Sequence, residues 1–267
     1  MQQLQQYIHE AMTDIYIHPD RKAPRLKPLK AWRHMQRLIA DKEDTEQVFH
    51  IIEALNGRAL ARSLKAFADT ESGSRLLERQ EYLPPILDDH DWLWKLPEGT
   101  VGRAYVEFME RENLTAQGLV DESERFRSAL QSYPDDLEWY GKRMRDTHDL
   151  FHVLTGYGRD PLGETSLLGF TYSQNRGRGV IFIAYIGAKH LSRHLPKEAR
   201  VMECLWEGKR NGRLAQKIVQ QDVVALLREP LEDVRRKLNV QPPVKYRHAL
   251  RLCHEAGVTP PTLQAAA

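Results

Sequence analysis

Apolar residues return every three to four positions along most of this chain, the period of a helix that buries one face. Leu4, Ile8, Ala11 and Ile15 follow it at the start. Asp44 or Thr45 opens a second run, with Val48, Ile51, Ile52 and Leu55 on one side and Asn56-Gly57 as its stop. Leu60, Leu64 and Phe67 mark a third, and Tyr105, Phe108 and Met109 a fourth over 102–112. Asp135 or Asp136, following Pro134, starts a long helix that carries Leu137, Tyr140, Met144 and Phe151. Further helical runs are expected at about 161–175, 179–194, 198–209, 213–228 and 230–238. Strand signals are scarce, so the pattern predicts an all-α, single-domain helical bundle. Such bundles build metal sites in their cores from facing helices.

Composition narrows the class without changing the fold. With 267 residues, 41% hydrophobic and 28% charged, the chain is an ordinary soluble globular protein, and no linker or internal repeat divides it. A net charge of +2 is too small for a dedicated nucleic-acid binder. Cys204 and Cys253 provide neither a disulfide framework nor zinc-finger spacing, which suits a reducing compartment. The opening MQQLQQYIHE has no apolar signal core and no arginine-rich presequence. No run approaches the ~20 apolar residues of a membrane span.

Chemistry concentrates in THDLFHVLTGYGRDPLGE, residues 147–164. His148 and His152, four apart on a helix, share a face and can present two imidazoles to one point. Asp149 lies at the edge of that face, about 100° round the helix. Glycines at 156 and 158 can end the helix, and Asp160-Pro161 reads as an N-cap followed by proline at the first position of the next. That reversal brings Glu164 back toward the histidines. Two imidazole nitrogens with one or two carboxylates suit zinc, manganese or iron(II). Two solvated surface histidines are the commonest explanation of such a pair. His190 and His194 fit it, lying among cations just before Pro196, and His90-Asp91 sits in the loop-like PPILDDHDWLW without a second ligand. His148 and His152 differ in being set among Leu150, Phe151, Val153 and Leu154, where an imidazole needs a partner to be buried.

Two further segments bear on lipid. Residues 179–194, GVIFIAYIGAKHLSRH, are the most apolar stretch, flanked by Arg176, Arg178, Lys189 and Arg193. They read as a buried core helix, or as the wall of an apolar cavity or a bilayer-facing helix. Residues 21–37 hold seven Lys or Arg, no acid, and Trp32, a composition suited to an anionic membrane surface.

The motif and its flanks resemble the coenzyme Q biosynthesis protein 4 family. The family pattern His-Asp-x-x-His, eleven residues, then Glu is met by His148, Asp149, His152 and Glu164. LPEGTVGRAYVEFM, LGFTYSQ, WEGKRNGRLAQ and PLEDVRRKLNV extend the resemblance over roughly residues 50–240. It implies an all-helical fold and a divalent metal, zinc first and iron(II) or manganese as alternatives, held by His148, Asp149, His152 and Glu164. It also implies ubiquinone biosynthesis, with oxidative decarboxylation and hydroxylation at C1 of a polyprenylated benzoate ring, a lyase or oxidoreductase reaction. His148, His152 and Asp149 are the expected catalytic residues, Asp149 being either a fourth ligand or a base that orients a histidine or bound water. The expected partners are a polyprenylated 4-hydroxybenzoate-type lipid, other ubiquinone biosynthesis proteins and a membrane surface, with a homodimer as a further candidate. The alternative is a non-catalytic lipid-binding scaffold that organises those enzymes. Hydrolysis by a zinc-peptidase-like or His-Asp phosphohydrolase site is disfavoured, because Asp149 is shorter than the usual glutamate and no further His-Asp dipeptide lies on a suitable helix. Lacking a presequence, the chain reads as a bacterial, cytoplasmic protein on the inner face of the membrane, or on the matrix side if eukaryotic. Residues 1–45 are expected to be an N-terminal helix and basic segment, 46–240 the metal-binding core and 241–267 a tail. Tyr157, Arg159 and Gln174 are near enough to the motif to test as ring contacts, although cap or surface roles explain them as well.

Overall fold

Helices here begin where a short polar side chain takes up a free backbone N–H. Thr70, Asp89, Thr100, Asp135, Asp160 and Asp222 each accept a bond from the first turn of the helix that follows. The computed structural model describes residues 14–41, 44, 46–127 and 132–258. In chain order the helices are α1 (Pro28–Ala40), α2 (Glu46–Asn56), α3 (Ala59–Ala68), α4 (Glu71–Arg79) and the single turns α5 (Pro84–Leu87) and α6 (His90–Leu93). There follow α7 (Val101–Arg111), α8 (Ala116–Arg127), α9 (Asp136–Asp146), α10 (His148–Thr155), α11 (Pro161–Asn175) and α12 (Arg178–Leu191). The last are α13 (Val201–Leu214), α14 (Val223–Leu227), α15 (Leu231–Lys237) and α16 (Val244–Glu255). Among the described residues there is no strand, only an isolated bridge between Thr100 and Pro230, and the molecule is a single all-α domain.

The principal core gathers around α10 and α11. Leu150, Phe151, Leu154, Leu162, Leu167 and Phe170 are buried there with Tyr105 and Met109 from α7. Phe151 meets Phe170 edge-on with centroids 5.9 Å apart. Each such side chain contributes roughly 1.5–3 kcal/mol by leaving water. α11 and α13 approach each other backbone to backbone. A Cβ on Gly208 would lie 2.0 Å from the Ser166 carbonyl oxygen, and one on Gly212 would lie 2.3 Å from that of Phe170. Only glycine lets the two helices meet at that distance.

Several sequence expectations change in the folded chain. The helix expected to run from residue 135 through the histidines is two helices. Thr147, at φ −89° and ψ 2°, breaks it, its hydroxyl donating to the Arg143 carbonyl at 2.9 Å. The run at 213–228 is not one helix. Its backbone is diverted into a 3-10 turn at Ile218–Gln220. Arg143 donates to the carbonyls of Val219 and Gln221, and Gln174 to that of Gly212. α13 starts at Val201, three residues later than expected, because Arg200 is left-handed at φ +46°. His90 and Asp91 lie in α6, not a loop. The helix expected over Leu4–Ala11 lies outside the described residues, and Ile15, its last apolar position, is not helical. Within 21–37 the chain forms α1 from Pro28, and within 241–267 it forms α16, whose Tyr246, Ala249 and Cys253 are buried. The apolar segment at 179–194 is α12. Gly179, Ile183, Ala184, Ala188 and Leu191 are buried, while Tyr185 and Lys189 are exposed. No described helix is long and apolar enough to cross a membrane.

Candidate metal centre

His148 is the first residue of α10 and His152 lies one turn on, so their rings face each other, centroids 5.2 Å apart and nearly perpendicular. Gly156 ends the helix at φ +73°, returning its N–H to the His152 carbonyl at 2.8 Å. Asp160 caps the next helix through the N–H groups of Leu162 and Gly163, both at 3.1 Å, and Pro161 starts it. This places Glu164 in the first turn of α11, facing back. Glu164 Oε1 lies 3.3 Å from His152 Nε2, and one donor atom from each of His148, His152 and Glu164 lies within 4.8 Å of the others.

The His152 side chain is fully buried and its two nitrogens have different fates. Nδ1 bonds the Tyr157 carbonyl at 2.9 Å, which assigns the proton there and leaves a lone pair on Nε2. Nε2 is buried and makes no well-formed hydrogen bond, the Glu164 contact being close but poorly directed. A fixed tautomer with its free lone pair aimed at another imidazole and a carboxylate is the donor arrangement that divalent metals take. The residues present therefore fit such an ion. Phe108 of α7 stacks on the His152 ring at 5.4 Å and 21°, closing that side to water.

Charge within the group is shared. Burial pushes His148 below its ordinary pKa of 6.5, and neighbouring His152 adds to the effect. Burial acts the same way on His152, but the Glu164 carboxylate outweighs it and leaves His152 above 6.5. Glu164 is held below the usual 4.5; burial would raise it, and the His152 charge more than offsets that.

The structure brings together three of the four motif residues. Asp149 is buried but stands outside the trio of donor atoms. After burial itself, its charge is the largest influence on the Tyr105 phenol, whose pKa is driven far up and whose hydroxyl has no partner. Arg159 is half-buried, and its charge bears on both His148 and Glu164. Tyr157 sends its ring into the core and its carbonyl to His152. Gln174 bonds the Gly212 carbonyl and the Ile218 N–H, a structural role. His190 and His194 lie with tilted rings 4.5 Å apart, His194 in the turn after α12 bonded to the His190 carbonyl, and they form no such cluster. Sequence reasoning missed Phe108 as a lid on His152, although its helical spacing with Tyr105 already put both on one face. It also missed Arg235, whose guanidinium donates to the Val153 and Leu154 carbonyls and so completes the C-terminal end of α10.

Fold and site together define an all-α protein with a His-His-Glu cluster, His152 buried and His148 and Glu164 half-buried, suited to a divalent ion. The chain belongs to the coenzyme Q (ubiquinone) biosynthesis protein Coq4 family, whose model matches residues 36–244. It is similar to the mitochondrial ubiquinone biosynthesis protein coq-4 of Neurospora crassa, at 29% identity over 178 residues, covering 66% of this chain and 48% of that protein. The mitochondrial COQ4 homologue of Danio rerio is 28% identical over 176 residues, covering 66% of this chain and 61% of that one. That of Aedes aegypti is 28% identical over 219 residues, covering 76% and 71%. The chain thus spans about half of the fungal relative and less than two thirds of the fish one. A crystal structure from Nostoc punctiforme, described as a ubiquinone biosynthesis protein, superposes with a TM-score of 0.62 at 21% identity. It covers 81% of this chain and 100% of that one, and it shares the fold.

Proposed function

We propose that this protein acts in ubiquinone biosynthesis as a metal-dependent enzyme. Its substrate would be a polyprenylated 4-hydroxybenzoate-type lipid, from which the C1 carboxyl group leaves as carbon dioxide and a hydroxyl from water takes its place, a two-electron oxidation in which dioxygen accepts the electrons and leaves as hydrogen peroxide. The observation that carries the reading is the orphaned His152 Nε2, buried beside His148 and Glu164 within the segment that matches the family. His148, His152 and Glu164 would hold the ion. Zinc or manganese there would orient the substrate carboxylate and polarise the ring phenolate, and iron(II) would add redox chemistry.

The remaining work falls to this chain's own groups. Phe108 excludes water from one side of His152. Arg159 supplies a positive charge next to the cluster for an anionic ring head. Asp149, outside the trio, is the candidate base.

The substrate's tail calls for a membrane, and one face of the protein has the chemistry for it. Leu26, Leu29 and Trp32 are exposed at and before α1, and Trp32 meets Phe182 of α12 at 6.5 Å. One turn along α12, Tyr185 meets Trp206 of α13 at 6.4 Å. Lys189 lies over the Tyr185 ring and Lys209 over Trp206. Aromatic rings edged by lysines suit the boundary of an anionic bilayer. We place the protein there, on the inner face in a bacterium or the matrix side in a mitochondrion.

The scaffold alternative shares that face and differs at the metal. The test is anaerobic loading of metal-quantified protein with a short-tailed 4-hydroxybenzoate intermediate, then admission of oxygen and mass spectrometry of the ring. Loss of carboxyl with gain of hydroxyl, absent in His152→Ala, supports the enzyme. Binding without turnover at any metal loading overturns it in favour of the scaffold.

A further inference from the structure

The peptide between Tyr157 and Gly158 is held from both sides. Its carbonyl accepts from His152 Nδ1 at 2.9 Å, and its N–H donates to the hydroxyl of Tyr246 at 3.0 Å. A trans peptide is planar with C=O and N–H pointing opposite ways, so fixing one end fixes the other. The same Tyr246 hydroxyl donates its proton to Asp160 Oδ2, while Asp160 Oδ1 caps the helix that carries Glu164. One oxygen atom on α16 therefore reaches both halves of the candidate centre.

The surroundings are built for this contact. Tyr246 is 4% exposed, and its ring packs edge-on against Tyr157 at 5.5 Å. Its backbone is anchored in turn, since Glu207 of α13 accepts the N–H groups of Lys245 and Tyr246. A Cβ on Gly158 would stand 2.5 Å from the Tyr246 hydroxyl, so a side chain there would push the tyrosine out. Burial, and then the Asp160 charge, drive the phenol pKa far up and keep it a donor. Tyr246 also lies beyond residue 244, where the match to the family model ends.

We propose that Tyr246 is a positioning residue of the metal centre. By clamping the 157–160 turn it sets the His152 ring and the start of α11 relative to each other, and with them the Nε2-to-Glu164 spacing. The proposal rests on the metal reading of His148, His152 and Glu164. Partners that orient a ligand typically change metal affinity by about 10–100-fold when removed.

The experiment titrates the full-length, metal-free protein with zinc against a chromophoric chelator, and with cobalt(II) followed by its visible absorption. Tyr246→Phe keeps the ring and loses the hydroxyl. Tyr140→Phe, which removes a hydroxyl bonded to Ser63 at 2.9 Å away from the centre, is the control for general loosening. Tyr246→Phe is expected to weaken zinc binding by about 10–100-fold and to alter the cobalt spectrum, with Tyr140→Phe like wild type in both. Equal affinity and an unchanged spectrum in Tyr246→Phe overturn the proposal. Gly158→Ala, whose methyl would displace the Tyr246 hydroxyl, serves if Tyr246→Phe does not fold, and wild-type behaviour in it is equally fatal. Failure of the wild type to bind either ion would refute the metal reading itself, and the positioning role with it.

Discussion

Replacing Gly208 with alanine puts the packing argument to a number. The new methyl would stand 2.0 Å from the Ser166 carbonyl oxygen and 2.9 Å from its carbon, backbone atoms that cannot swing aside as a flexible side chain would. Relief requires α13 to move off α11 by more than an ångström. Overpacking of this kind costs roughly 1–3 kcal/mol and occasionally more, here at the upper end because backbone meets backbone. The gain in helix propensity from glycine to alanine returns about 1 kcal/mol. The net expectation is a loss of about 2 kcal/mol, or roughly 4–8 °C in Tm for a chain of this size. Gly141 in α9 is the counterpart, since a Cβ there meets only Leu60 Cδ2 at 3.8 Å, an ordinary contact. Gly141→Ala should gain about 0.5–1 kcal/mol from propensity alone. Both are read by differential scanning fluorimetry and urea unfolding on metal-free protein. A Gly208→Ala protein as stable as wild type, or the two alanines shifting Tm in the same direction, would falsify the close-approach argument.

Three other outcomes are expected. Glu164 holds His152 above pKa 6.5, so below that raised value a proton occupies the nitrogen a metal must take. Zinc affinity should therefore fall as pH drops through it, by up to tenfold per unit, and level off above, as competition titrations from pH 5.5 to 8.5 would show; His148, lowered by burial, adds no competition above 6.5. A flat profile would mean that His152 is not a ligand. Asp135→Ala removes the α9 cap and leaves Arg21, paired with it at 2.5 Å, without that partner; urea unfolding should record a loss of about 3 kcal/mol, and one under 1 kcal/mol would contradict the pairing. Joint Trp32→Ala and Trp206→Ala should cut sedimentation with vesicles containing anionic lipid at least tenfold and leave metal binding unchanged; undiminished sedimentation would remove that face as the docking surface.

How legible this was depends on how local each signal is. The i,i+4 histidines, the Gly156 stop and the Asp160-Pro161 start all act within a turn or two of themselves, and the folded chain places each as its neighbours dictate. Thr147 defeats the same logic. Nothing in the apolar spacing between Tyr140 and Phe151 reveals that its hydroxyl will bond back to Arg143 and split the helix. The 213–228 stretch fails for a longer-range reason, because the Val219 and Gln221 carbonyls are claimed by Arg143 and the Ile218 N–H by Gln174, both distant in sequence. Tyr246 is the extreme case. Its spacing in α16 marks it as a core residue, and only the fold brings its hydroxyl to Gly158 and Asp160, 88 and 86 residues away in sequence.

The tight seam between α11 and α13 has a kinetic meaning as well. Glu164 rides on a helix whose neighbour touches it backbone to backbone, so that half of the centre can shift only if two helices travel as one body. The histidines ride on an eight-residue helix held by side chains, among them Phe108 from α7 and Arg235 from α15. Side chains change rotamer in nanoseconds, whereas welded helices move over microseconds or longer. Any widening of the cluster, whose His148 and Glu164 are already partly exposed, should therefore come by displacement of α10, with Glu164 as the stationary wall. Hydrogen exchange would then run faster in the α10 amides than in those of α11 opposite Gly208.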